Sequence, residues 1–257
     1  FAAEVQMDLI ARELGMDPLE FRQKNLVQDG DASPLGHRWQ NIMGMRTLDA
    51  AVKESGYQDT KPQTHGKLTG RGMALCERHV GAGSSTVKIS IDSDGVVTLY
   101  TALPDTGSGF YTVLRQILGQ ELGVAYDEIE LENWSTDDVE FETGVGGSRV
   151  THVAGQAVFR AAQELKQQMV TMAADLFGWP EDDTGFSQGQ VTAPGQTSVN
   201  LGDLVSRSGG LVETVHTYDS ERDEDITVFC VQIAEVEVDI ETGQVQLTKF
   251  TSAHDVG

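Results

Sequence analysis

The chain mixes two local patterns, and their order constrains the fold more than any other feature. Alternating apolar residues over Thr86–Asp92 and Val96–Ala102 flank the turn pair Asp94-Gly95, which predicts an antiparallel hairpin. Ala102 then leads through a glycine loop into a helical run over Phe110–Leu122. A strand over Glu128–Asn133 leads through a second glycine loop at 144–147 into a long helix over Thr151–Phe177. Hairpins beside strand–loop–helix units predict an α+β fold, with mixed sheets and packed helices, rather than a doubly wound parallel sheet.

The flanking regions extend this reading. Phe1, Val5, Leu9, Ile10 and Leu14 recur at helical spacing, and Gly15 supplies a stop. Asp17 is placed to cap a second helix that opens at Pro18 and runs to about Val27. Residues 28–46 read as a loop, Thr47–Glu54 as a short helix, and the polar stretch Gly56–Thr69 as a boundary. We therefore expect a helical segment over 1–66 and an α+β region over 67–257. Within the latter, Met73–His79 reads as a strand, 178–198 as a polar insertion, and Asn200–Ser206 as a helical turn or two. Leu211–Tyr218, Val228–Ile240 and Val245–Ala253 read as strands, the last two joined around Glu241-Thr242-Gly243. No capping residue or initiator Met precedes Phe1, and the chain ends on an apolar strand. The expectation is an internal piece of a longer protein.

Composition narrows the partners. With 257 residues, 39% of them hydrophobic, the chain can bury a sizeable core. Its 18 basic against 40 acidic residues give a net charge of −22, which repels nucleic acid and anionic membranes. No run reaches a membrane-spanning length, and the start is not a signal peptide. Cys76 and Cys230 each sit in a strand-like run without metal-site spacing; buried free thiols and a cytoplasmic location are expected.

The residues able to carry chemistry concentrate in the two glycine loops. Asp105-Thr106-Gly107-Ser108-Gly109 and Thr143-Gly144-Val145-Gly146-Gly147-Ser148-Arg149 each stand between a strand and a helix. Glycines admit positive φ and close ligand approach, and a helix N-terminus offers free N–H groups to an anion. Glycine also serves simply to turn the chain, so both readings stand for each loop. Arg149 is either a ligand contact or one half of a structural salt bridge. Neither loop is a nucleotide fingerprint, because Thr112 takes the place of the third Rossmann glycine and no Gly-Lys-Ser/Thr follows. Gly185-Phe186-Ser187-Gln188-Gly189 spells a nucleophile elbow but lies in the polar insertion, without the strand and helix that mechanism needs. His37, His65, His79, His152, His216 and His254 are scattered, and the acidic runs Asp137-Asp138 and Glu181-Asp182-Asp183 read as solvated. No metal site and no catalytic residue is expected in this chain.

Several segments together resemble the large subunit of the molybdenum hydroxylases, the family of xanthine dehydrogenases, aldehyde oxidoreductases and aerobic carbon monoxide dehydrogenases. They are Phe1-Ala2-Ala3-Glu4, Leu14-Gly15-Met16-Asp17-Pro18-Leu19-Glu20-Phe21-Arg22 with Lys24-Asn25-Leu26, and Gly70-Arg71-Gly72-Met73-Ala74. Asp105-Thr106-Gly107-Ser108-Gly109 is similar to the family's Asp/Glu-x-Gly-Gln-Gly turn, and Gly147-Ser148-Arg149 to its Gly-Ser-Arg-Ser-Thr stretch. Glu235-Val236-Glu237-Val238-Asp239 with Thr242-Gly243 and Asp255-Val256-Gly257 resembles its closing strand pair. The resemblance implies an oxidoreductase that hydroxylates aldehydes or N-heterocycles, or oxidises carbon monoxide, with oxygen from water. It implies molybdopterin bound by Thr106, Gly107, Ser108, Gly109, Gly146, Gly147, Ser148 and Arg149. It also implies iron–sulfur clusters and FAD on partner subunits or domains, and a remainder of the large subunit that supplies the Gly-Gln-Gly loop, the Phe-Arg-Gly loop and the general-base Glu. Without these the chain alone is expected to be inactive. Ser108 stands where the family has Gln, which favours an alternative: a cofactor-free binding or assembly module on the same scaffold.

Overall fold

The computed structural model describes all residues except 35, 37, 60–64, 136, 140, 221–226 and 257. His37 and Gly257 thus lie outside the described residues. Two compact units emerge, one formed by residues 1–80 with 224–257 and the other by 81–223.

The first unit opens with helix α1 (Ala2–Glu13) and α2 (Pro18–Asn25). Asp17 caps α2, its carboxylate accepting the N–H groups of Leu19 at 2.8 Å and Glu20 at 3.3 Å. Helix α3 (Gly44–Ser55) ends at Gly56 in the left-handed conformation, and strand β1 (Lys67–His79) follows. The chain then builds the second unit: β2 (Gly83–Asp92), β3 (Val97–Thr101), α4 (Phe110–Leu122), β4 (Glu130–Asn133) and α5 (Val150–Phe177). A 3-10 turn at Glu181–Asp183 leads to the short strands β5 (Gly185–Ser187), β6 (Gln190–Thr192) and β7 (Val199–Asn200), then α6 (Leu201–Ser208) and β8 (Leu211–Ser220). Finally β9 (Thr227–Asp239) and β10 (Val245–His254) return to the first unit.

In the first unit β9 lies between β1 and β10, antiparallel to both. Residues alternate between the two sheet faces. Met73, Val231 and Ile233 face a core shared with Leu19, Leu48 and Ala51. Cys76 pairs with Cys230 across β1 and β9, one residue out of phase with that core set. Both thiols are therefore on the other face: Cys76 is exposed, Cys230 half-buried, and both are free. This corrects the expectation of buried thiols. The boundary expected after residue 66 falls just ahead of β1, whereas the units divide at 80/81 and near 223. The reason is long-range: β1 pairs over its whole length with β9. The helices of residues 1–66 thus share a unit with the last two strands.

The second unit is a four-stranded sheet in the order β4-β3-β2-β8. Its hairpin β2–β3 turns at Asp94-Gly95 as expected, with Asp92 accepting the N–H groups of Asp94 and Val96. Val87, Ile89, Ile91, Val97 and Leu99 face Leu114, Leu118 and Leu122 of α4 and Ala157, Ala161, Leu165 and Met169 of α5 in one buried cluster. Small residues let the two helices approach, and a Cβ on Gly155 would sit 3.0 Å from Ile117. Hairpin pairs together with a parallel strand–helix–strand unit make the fold α+β, as the residue patterns predict.

Candidate functional site

Both glycine loops leave one edge of the four-stranded sheet. β3 and β4 are parallel neighbours, with Thr101 opposite Asn133 at their C-terminal ends. β2 runs against β3, Val87 opposite Thr101, which puts Gly83–Thr86 at the same edge. β8 finishes there too, Ser220 opposite Gly83. Residues 102–109 leave β3 for α4, and residues 134–149 leave β4 for α5.

In the first loop the Asp105 carboxylate accepts the Gly107 N–H at 2.8 Å, closing a tight turn. Gly107 and Gly109 then take φ of +75° and +80°, which would cost a side-chain-bearing residue about 1–2 kcal/mol. A Cβ at either position would meet nothing within 4 Å, so the space above the loop is open. Thr106 and Ser108 are exposed, their hydroxyls 3.5 Å apart. Gly109 caps α4 with no side-chain acceptor, which leaves first-turn N–H groups to face the loop. Tyr111 ties the ends of β3 and β4 together: its hydroxyl bonds the Leu103 carbonyl at 2.7 Å and the Asn133 side chain at 2.8 Å. Burial, and then the Asp105 carboxylate, push this phenol above its ordinary range, so it stays protonated.

The second loop is folded around Arg149. Only 4% exposed, Arg149 donates from Nη1 to the Gly144 carbonyl at 2.7 Å and from Nη2 to the Ser84 carbonyl at 2.9 Å. The Glu142 carboxylate stands 3.8 Å from Nη1, and it also accepts the Ser85 hydroxyl and the Gly144 N–H. Burial lowers the Arg149 pKa against the opposing pull of Glu142 and Asp219, but a guanidinium remains charged. Its Nε is buried with no partner among the described residues. Gly146 and Ser148 are exposed and Gly147 is half-buried. Ser148 sits at φ +59°, a strained conformation for a serine. Arg149 therefore acts within the loop, and the salt bridge that its residue type suggested is one of several bonds.

Three contributors went unrecognised in the sequence. Ser84 exchanges two bonds with Thr143, giving its N–H to Oγ1 at 2.9 Å and accepting the Thr143 N–H at 3.2 Å. Gly83 makes room for Thr143, and Gly81 donates its N–H to the Gly147 carbonyl at 2.7 Å. The pair Gly81 and Gly83 at the entry to a strand was the signal available.

The remaining sequence candidates lie elsewhere. Ser187 ends β5, and Gln188 and Gly189, both at positive φ, turn the chain back into β6, so the elbow motif is a hairpin. His216 is 2.8 Å from Glu164, and His254 is bonded to Ser252. No group of three or more His, Cys, Asp or Glu able to hold a metal occurs among the described residues.

The edge suits an oxygen-rich, phosphate-bearing group. It offers two helix N-termini without side-chain caps, a buried guanidinium with an unused Nε, and open backbone at Gly107, Gly109, Gly144 and Gly146. A family model, the molybdopterin cofactor-binding domain, matches residues 46–257. The chain belongs to that family.

Relatives of this molybdopterin cofactor-binding domain match it along most or all of its length. It is 26% identical over 267 residues to the aldehyde oxidoreductase molybdenum-binding subunit PaoC of Escherichia coli K12, covering all of this chain and 35% of that protein. It is 28% identical over 277 residues to the aldehyde oxidoreductase of Megalodesulfovibrio gigas, covering all of this chain and 28% of the relative. The CO dehydrogenase of Oligotropha carboxidovorans shares its fold, with a TM-score of 0.73 at 24% identity over 99% of this chain and 36% of that one. The chain thus spans about a third of the length of the curated relatives it matches. The resemblance to molybdenum hydroxylases carried by the sequence segments is the family found here.

Proposed function

We propose that the two glycine loops hold molybdopterin within the large subunit of a molybdenum hydroxylase, one that hydroxylates aldehydes or N-heterocycles or oxidises carbon monoxide. The observation that carries this is the shared sheet edge: parallel neighbours β3 and β4 send both loops from one side, each into an uncapped helix N-terminus. In this reading Thr106, Gly107, Ser108 and Gly109 form one side of the cradle and Gly146, Gly147 and Ser148 the other. Arg149 supplies positive charge from within the second loop. When bound, the cofactor supplies the molybdenum centre that accepts two electrons while oxygen from water passes to the substrate. The chain's own residues bind and orient that group and offer N–H donors to its oxygens.

The remainder of the subunit completes the shell and holds the catalytic base. Iron–sulfur and flavin subunits or domains take the electrons. No nucleic-acid or membrane partner enters this scheme: the net charge of −22 disfavours phosphate backbones, and among the described residues no helix is long and apolar enough to cross a membrane. A cytoplasmic location accords with the free cysteines.

Ser108→Asp in the full-length subunit tests the assignment. A carboxylate just before α4 favours the helix dipole, so folding is preserved, yet it repels an anionic ligand. We expect native unfolding behaviour with reduced molybdenum and pterin per subunit. Unchanged cofactor content would remove the first loop from the site. Ser108 in place of the family's Gln favours a second reading, a scaffold that has lost its cofactor; a native full-length subunit purified without pterin from cells that make molybdopterin would establish it.

A further inference from the structure

The second loop is shaped by residues 81–84, which lead into and begin β2 and carry no sequence motif. Their contacts fix the direction of two peptide groups. Gly81 donates its N–H to the Gly147 carbonyl at 2.7 Å, which turns that carbonyl inward. Arg149 donates to the Gly144 carbonyl at 2.7 Å while anchored to the Ser84 carbonyl at 2.9 Å, which turns the Gly144 carbonyl inward as well. In a trans peptide the N–H points opposite to the C=O. The inward carbonyls therefore aim the next two N–H groups, those of Val145 and Ser148, away from the clamp. Neither finds an acceptor among the described residues, and both residues are exposed. Ser148 keeps its φ of +59° under these constraints.

We propose that Gly81, Ser84 and Arg149 are positioning residues, forming a clamp that presents the backbone N–H groups of Val145 and Ser148 as the donor pair of the second loop. This rests on the reading that the loop binds molybdopterin. Gly81 is the point where the clamp tolerates least. A Cβ there would stand 3.3 Å from the Gly147 Cα, 3.4 Å from the Arg149 Cβ and 3.4 Å from the Gly146 carbonyl oxygen, and two of those three contacts are backbone. A Cβ on Gly147 would meet the Gly81 Cα at 3.0 Å. The two glycines thus pass so closely that a side chain on either would make its neighbour shift by a few tenths of an ångström.

Gly81→Ala in the full-length subunit separates positioning from folding. Gly81 is not at positive φ, so alanine is allowed there and also restricts the unfolded chain, keeping overall stability near native. Its Cβ nevertheless pushes the loop by a few tenths of an ångström. The measurements are the thermal midpoint, pterin released per folded subunit, and the rate of pterin loss on dilution. Gly81→Ala is expected to keep the native midpoint, hold several-fold less pterin and lose it faster. Gly185→Ala, where a Cβ meets nothing within 4 Å, serves as control and stays native. Arg149→Lys keeps the charge but loses the planar fork whose Nη1 and Nη2 reach the Gly144 and Ser84 carbonyls separately, so it should also hold less pterin than the native subunit. Should Gly81→Ala not fold, Thr143→Val, which removes the acceptor of the Ser84 N–H at constant volume, reads the same way. Native pterin retention in the folded Gly81→Ala or Arg149→Lys subunit overturns the clamp. Absence of pterin from the native subunit instead overturns the cofactor assignment on which the clamp depends.

Discussion

Arg22 and Arg149 show what a single residue can decide in this chain and how differently the two could be read. Arg149 follows a glycine loop directly, so its position alone drew attention. Arg22 stands in a segment that carries the family resemblance, but no motif there gives it a role. Its guanidinium, 6% exposed, bonds Glu4 at 3.0 Å, Asp8 at 2.8 Å and the carbonyls of Glu4, Pro18 and Met73, tying α1 and α2 to β1. Glu4 completes the knot by accepting the Leu75 N–H at 2.7 Å. The bonds of this knot span up to 71 residues of sequence, which is why periodicity could not find them. Breaking a buried pair by removing one side leaves the other uncompensated; with Glu4 and Asp8 partly exposed the cost is about 2–3 kcal/mol. We expect Arg22→Met to lower unfolding free energy by that amount in urea denaturation, and an unchanged midpoint would show that the knot contributes nothing net. Ser108 is the opposite case, an exposed hydroxyl with one weak neighbour. Ser108→Ala should raise the cofactor dissociation constant in the full-length subunit by no more than about tenfold, the worth of one neutral hydrogen bond. Complete loss of loading would make Ser108 a principal ligand.

Among the elements, those with strong local signals were legible and those that depend on distant partners were not. Helix α4 spans the expected Phe110–Leu122, and the β2–β3 hairpin turns where Asp94-Gly95 predicts. The strands β5 to β7, two or three residues each, are too short to show a period, so 178–198 read only as polar. The apolar stripe of α1 was legible as a helix, but its burial was not: Phe1, Val5, Leu9 and Leu14 are exposed, and the helix is anchored through Glu4 and Asp8. At the site, both glycine loops were visible as composition, whereas the clamp around Gly81 and Ser84 depends on a sheet edge that only the register reveals. The β9–β10 hairpin carries a local device that can be tested by pH. Asp239 accepts the N–H groups of Glu241 at 3.0 Å and Thr242 at 2.8 Å, together with the Thr242 hydroxyl at 3.0 Å. The bonds from Thr242, first its N–H and then its hydroxyl, hold the Asp239 carboxyl below the ordinary aspartate range. A depressed pKa means that the folded hairpin favours the anion. Its contribution is complete above the ordinary aspartate pKa and is lost as pH falls through the depressed folded value. NMR titration should place Asp239 below the ordinary range, and Thr242→Ala should move it back up. Titration of Asp239 at the ordinary value in the native chain would refute the device.

At the scale of the whole molecule, the first unit is made from both ends of the chain and carries apolar surface on more than one element. Register aligns Leu68, Val238 and Val245 in one row across β1, β9 and β10, then Gly70, Val236 and Leu247, then Gly72, Ala234 and Phe250. These rows lie on the face opposite the Met73–Val231–Ile233 core. Leu68, Val245, Leu247 and Phe250 are 53–62% exposed on it, and α1 adds Phe1, Val5 and Leu9. The strand β9 reads accordingly, with apolar residues on both faces, as strands covered on two sides do. Scattered apolar residues on a surface need no explanation, but rows aligned across three strands form a contiguous patch. The relatives are about three times as long as this chain, and under the proposed assignment to a large subunit further polypeptide is available to cover such a patch. The prediction is that the 257-residue chain alone binds a hydrophobic dye and self-associates at micromolar concentration despite its net charge of −22. Leu247→Lys with Phe250→Ser should suppress both behaviours while leaving the unfolding midpoint of the β1–β9–β10 unit near native, because neither side chain contributes to the Leu48–Met73–Ile233 core. Analytical ultracentrifugation of the two forms decides it. A native chain that stays monomeric and dye-silent would mean that the patch is too dispersed to act as one surface.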